Sequence, residues 1–149
     1  MKTRLIDQLL RYNFNRKQRR YLAKQWYMNG CGGKWGFSFS NTIRAAIKEL
    51  KGFNQAFYLA LLNDIEKLCW EHDIDFTLGN TKKDFRLANF RFAWRMFKLL
   101  RWGNFFGRLS LWIIIYVLLN RHGKHYFNFK DKKTLEDLFI NYTDDEKMY

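Results

Sequence analysis

His72 and Asp73 are the residues of this chain best suited to do chemistry. An imidazole can move a proton near neutral pH, and a carboxylate can hold a hard cation. Neighbouring residues on a helix point about 100° apart, so the two would address different objects rather than each other. A second candidate is the glycine-dense stretch NGCGGKWGF, residues 29–37. Glycines permit positive φ and close backbone approach, so carbonyls or amides can converge on an ion or an oxyanion. The stretch matches neither the dinucleotide-binding glycine pattern nor the Walker lysine-serine pair. Two cysteines, Cys31 and Cys69, are too few for a thiolate zinc site. In a chain without a secretory signal such a pair is most often free and buried. His72, His122 and His125 lack zinc-protease spacing, and no serine sits in a nucleophile elbow.

These residues need elements to position them. Phe57, Leu61, Ile65, Leu68, Cys69, His72 and Phe76 recur at helical spacing and share one apolar stripe. Gly79 and Asn80 read as the stop of that helix, and Thr81 with Asp84 as the capped start of the next. The second helix carries Phe85, Asn89, Phe92 and Met96 on its own stripe. A short connection favours antiparallel packing, which would set the stripes face to face. His72 and Asn89 then both sit on faces that should be dry. A buried polar group costs free energy without a partner, so each is a candidate partner for the other.

The remaining sequence surrounds this pair. At 149 residues the chain is expected to form a single domain spanning 1–149. Aromatics make up 19% of it, which excludes a disordered chain. Proline is absent, and the periodicities point to an all-α, mainly helical fold. Leu5, Leu9 and Leu10 suggest a short amphipathic helix, and a basic run follows with Arg16, Lys17, Arg19, Arg20 and then Trp26. Basic helices over residues 3–28 suit a phosphate-bearing surface, or equally a solvated face beside a core stripe. A short helix is expected over residues 40–51. The run LSLWIIIYVLL, residues 109–119, falls short of the ~20 apolar residues a bilayer span needs, and reads as a buried helix. The tail over 131–149 is acidic, with a helical turn or two expected around Leu135–Ile140. The first twenty residues lack the apolar core of a secretory signal, so synthesis in the cytoplasm is expected and the final location stays open. The net charge of +13 implies an anionic partner, either an anionic membrane surface or nucleic acid.

The stretch CWEHDIDF resembles the active-site helix of phospholipase A2, whose pattern places a Cys three positions before His-Asp and an aromatic four after the His. Cys69, His72, Asp73 and Phe76 match those positions. NGCGG resembles the family's calcium loop, and LANFRFAWRMF resembles its third helix. The likeness covers roughly residues 29–97 and is closer to the compact bacterial, phage and parvovirus-capsid versions than to the secreted enzymes. It implies calcium held by the Asp73 carboxylate and the backbone carbonyls of Gly30, Gly32 and Lys34, oxygen donors suited to a hard ion. It implies His72 as general base on a water that attacks the glycerol 2-position ester of a phospholipid. It also implies a Cys31–Cys69 disulfide, the alternative to free thiols. Asn89 stands where the family orients its histidine with an aspartate, and Phe76 stands where a tyrosine is usual.

These departures define two functional expectations. One is a calcium-dependent phospholipase A2-like hydrolase acting at an anionic phospholipid surface, with Arg16, Lys17, Arg19, Arg20 and Trp26 as surface contacts. The other is a catalytically weakened fold of that kind, serving as a basic structural, nucleic-acid-associated or virion protein. The aromatics fall on helical stripes and do not interleave with Lys and Arg on a strand, which lowers the nucleic-acid reading.

Overall fold

The computed structural model describes residues 5–26, 28, 48, 53–100 and 104–143. Every regular element among them is helical, so the all-α expectation holds. In chain order these are α1 (Leu5–Leu9), α2 (Arg16–Trp26), α3 (Phe53–Leu78), α4 (Lys82–Leu99), α5 (Phe105–His122), a single 3-10 turn (Gly123–His125) and α6 (Leu135–Leu138). The glycine-rich stretch and most of the helix expected over 40–51 lie outside the described residues.

The α3–α4 corner forms as its local sequence dictates. Gly79 (φ 62°) and Asn80 (φ 115°) take the left-handed region, which ends α3. Thr81 then caps α4: its hydroxyl accepts from the Asp84 amide while the Asp84 carboxylate accepts from the Thr81 amide. The end of α3 has a second support from far along the chain. Asn128 donates from its backbone to Phe76 O (3.1 Å) and from its side chain to Thr77 O (3.0 Å). Lys133 N reaches Leu78 O at 2.9 Å, and Asn80 N donates to Asn128 O at 2.8 Å. A Cβ added at Gly79 would meet Asn128 O at 2.1 Å, so glycine is required there for space as well as for φ.

Above the corner, Phe76 meets Phe85, His72 meets Asn89 and Glu71 meets Arg95. Pairs of widening sequence separation are the ladder of an antiparallel hairpin, as the short connection predicts. α4 packs on α3 on one side and α5 on the other, and also touches α1. Among the described residues, three buried clusters hold the helices together. Ile6, Leu68 and Leu99 tie α1 to the hairpin, and Phe76, Phe85, Ala88 and Phe127 fill the corner. Leu22, Met28, Ile74 and Leu138 join α2, α3 and α6. The acidic tail therefore folds back as far as α6, where Thr134 and Asp137 form a second capping box.

One expectation is corrected. The apolar run over 109–119 is helical, but none of α5 is buried. Its apolar content reflects a preference to leave water, and the chain's own described elements do not supply the cover.

Candidate functional site

The polar centre of the hairpin is built from one residue of each of three helices. His72 on α3 is bonded through Nε2 to Asn89 Oδ1 on α4 at 2.8 Å, and Asn89 Nδ2 donates to Asn120 Oδ1 on α5 at 3.0 Å. Because the Asn89 amide spends its donor on Asn120, its oxygen is what faces the ring. Nε2 therefore carries the hydrogen, and the lone pair of the neutral imidazole is on Nδ1. Asn89 is fully buried, and this chain of bonds is what makes its burial affordable.

The ring itself is clamped between aromatics. Phe76, one turn along α3, lies 4.1 Å away centroid to centroid, and Phe92 of α4 lies 4.9 Å away. Burial among these groups pushes the His72 pKa down to about 4, while the hydrogen bond to Asn89 acts in the opposite sense. His72 is thus a neutral, tautomer-fixed imidazole at neutral pH.

Asp73 is half-buried on a different face of α3, as the helical geometry requires, and its backbone carbonyl accepts from Thr77 Oγ1 at 2.9 Å. Its carboxylate is the kind of donor a hard cation takes. Gly30, Gly32 and Lys34, the other calcium ligands implied by the resemblance, lie outside the described residues. Among the described residues no group of three or more His, Cys, Asp and Glu side chains is placed to hold a metal ion. Cys69 is buried and disulfide-bonded. The one other cysteine of the sequence, Cys31, lies outside the described residues.

Immediately beside this neutral centre lies an ionic one. Glu71 Oε2 accepts from the Arg11 backbone amide at 2.8 Å, and Glu71 Oε1 is paired with the Arg95 guanidinium. Asp75, one turn on, accepts from the Tyr12 hydroxyl at 3.1 Å and faces Arg91 at 3.6 Å and Arg11 at 4.0 Å. Burial raises the pKa of both carboxyls, outweighing the guanidiniums that pull them down. Burial, and then the Asp75 charge, push the Tyr12 hydroxyl up to about 12.

The surface contacts expected on α2 divide. Arg16, Lys17 and Arg20 are exposed and Arg19 is half-buried. Trp26 faces inward: its Nε1 donates to Leu138 O at 2.9 Å, and the ring packs on the cluster around Leu22. It anchors α6 instead of standing clear as a surface contact.

Two parts of this centre go beyond the sequence reading. Asn120 ends an apolar run and carries no signal of which helix it will meet. The Glu71–Arg95 and Asp75–Arg91 pairs do leave one, since both carboxylates and both arginines are spaced four apart on facing helices. Comparison of the chain with protein-family models, with curated proteins and with solved structures returns no match.

Proposed function

We propose that this protein is a calcium-dependent, phospholipase A2-like hydrolase of the glycerol 2-position ester of phospholipids, with His72 as the general base. The observation that carries the reading is the neutral imidazole whose Nε2 is held by Asn89 and whose Nδ1 keeps the lone pair. In that role Nδ1 takes a proton from water as the water attacks the ester carbonyl, and returns it to the glycerol oxygen as the acyl C–O bond breaks. Asn89 and Asn120 hold the ring in one tautomer, and Phe76 and Phe92 hold its plane. Asp73 and the carbonyls of Gly30, Gly32 and Lys34 would hold calcium, which would polarise that carbonyl and stabilise the resulting oxyanion.

The same centre argues for slow turnover. An imidazole held down at about 4 is a weak base, and Asn89 adds no negative charge to steady the imidazolium that proton transfer creates. This uncharged setting favours a second reading, a basic structural or nucleic-acid-associated protein in which His72 is a satisfied core residue.

Hydrolysis of phospholipid in mixed micelles separates the two. The expected outcome is calcium-dependent release of the 2-position fatty acid, abolished by His72→Gln and increased by Asn89→Asp. Asp73→Asn should also abolish the rise in melting temperature that calcium gives by binding only the folded state. No hydrolysis in saturating calcium, with none restored by Asn89→Asp, would leave the scaffold reading.

A further inference from the structure

α5 presents to solvent what a helix in a folded protein normally hides. Phe106 is 78% exposed, Ile114 54%, Val117 51% and Leu118 50%, and Ile113 stands beside them. With Ser110 these residues recur every three or four positions, so they form one continuous stripe along α5. A contiguous apolar patch of this kind marks an interaction surface.

The surroundings of the stripe indicate what covers it. Trp94 and Phe90 on α4 are exposed beside α5, and Phe90 packs edge-on against Trp112 and Tyr116. Lys98 lies over the Trp94 ring at 5.2 Å, and Arg108 lies over Phe97 at 4.2 Å. Aromatic rings shared with basic side chains around an aliphatic face are suited to the boundary between hydrocarbon and headgroups. Charge selects among occupants. From Lys82 to Arg121 the sequence holds nine basic residues and one acidic residue, Asp84. Arg91 and Arg95 are set against Asp75 and Glu71, and the remainder stays strongly positive. A second copy would bring like charge to like charge, whereas an anionic bilayer complements this basic segment, whose Lys98 and Arg108 sit over the α4 aromatics.

We propose that the exposed stripe of α5, with the α4 aromatics beside it, docks this protein flat on an anionic phospholipid surface. No described helix is long and apolar enough to cross a membrane, so the stripe lies in the interface. The α5 face, and not the basic α2, is the principal lipid contact. The proposal rests on the preceding reading in sharing a phospholipid surface as partner.

Co-sedimentation of the full chain with vesicles of ether-linked phospholipid tests it, because lipids without ester bonds remove hydrolysis from the measurement. Vesicles containing phosphatidylserine should bind the protein, less so as salt rises, and neutral phosphatidylcholine vesicles much less. The double substitution Ile114→Glu with Leu118→Glu should weaken partitioning by roughly tenfold or more, since two exposed aliphatic groups no longer enter the interface. Its melting temperature should not fall, because neither side chain is buried. A milder pair, Ile113→Ser with Val117→Ser, should weaken partitioning less. Unchanged partitioning in both pairs would overturn the proposal. So would a wild-type dimer in sedimentation that the glutamate pair converts to monomer without any change in vesicle binding.

Discussion

Glu71 and His72 are neighbours on α3, and Asn89 and Arg91 are two apart on α4, yet the two cross-helix contacts they make are opposite in electrostatic kind. Glu71 and Asp75 face Arg11, Arg91 and Arg95, so buried charge meets charge. His72 faces Asn89 and then Asn120, and among the described residues no formal charge enters that chain of bonds. The first arrangement fixes the relative placement of α3, α4 and the segment that follows α1 by pairing requirements that few other registers would satisfy. The second holds one imidazole in one tautomer at little electrostatic cost. One helix pair thus spends its charges on architecture and leaves its candidate reactive group neutral.

The comparison predicts a large difference in sensitivity. Arg95→Ala strands a carboxylate that is 2% exposed, and breaking such a pair typically costs about 3–5 kcal/mol. Urea unfolding monitored by circular dichroism should show that loss. A loss within the range of ordinary surface substitutions would mean that the ionic cluster does not hold the helices together.

The neutral side should reveal itself through pH. His72 has a folded pKa of about 4 against an ordinary 6.5, so the unfolded chain takes up its proton first as pH falls. The stability associated with the neutral ring is complete above about 6.5 and is lost progressively toward pH 4, amounting to about 3 kcal/mol. Glu71 and Asp75, with raised pKa values, act in the opposite sense as they protonate. The measurement is therefore the difference between wild type and His72→Gln across that window. A flat difference, or an imidazole NMR titration near 6.5, would contradict a buried neutral ring.

How much of this is legible in the sequence depends on how local the cause is. The α3–α4 corner is legible because Gly79, Asn80, Thr81 and Asp84 act on their own backbone. The His72–Asn89 contact is legible because a polar residue on each of two dry stripes has few other partners available. Asn120 is not, since its role depends on α5 packing beside α4, which periodicity does not specify. Nor is the exposure of α5 legible, because apolar composition states that a surface avoids water and not what it meets instead. Trp26 shows the reverse: a tryptophan beside basic residues reads as a surface contact, yet α6 arrives from the far end of the chain to cover it.

The smallest expected effect belongs to that third member. Asn120→Ala leaves the Asn89 amide without its acceptor and should cost about 1–3 kcal/mol. It should also loosen the ring, visible as exchange broadening of the His72 imidazole signals. Full stability with unchanged spectra would show that Asn89 alone orients the histidine.

The clasp of Asn128 and Lys133 on the end of α3 bears on the order in which the molecule assembles. The carbonyls of Phe76, Thr77 and Leu78 lie at a corner whose own sequence signals are within a few residues, but the N–H groups that donate to them come some fifty positions later. During synthesis the two helices can meet long before those groups leave the ribosome, and until then water serves the three carbonyls. The last carbonyls of α3 therefore find their protein donors only in the segment that follows α5 and returns to the corner. Gly79, with Asn128 pressed where a side chain would be, is the place where an early hairpin waits for a late arrival.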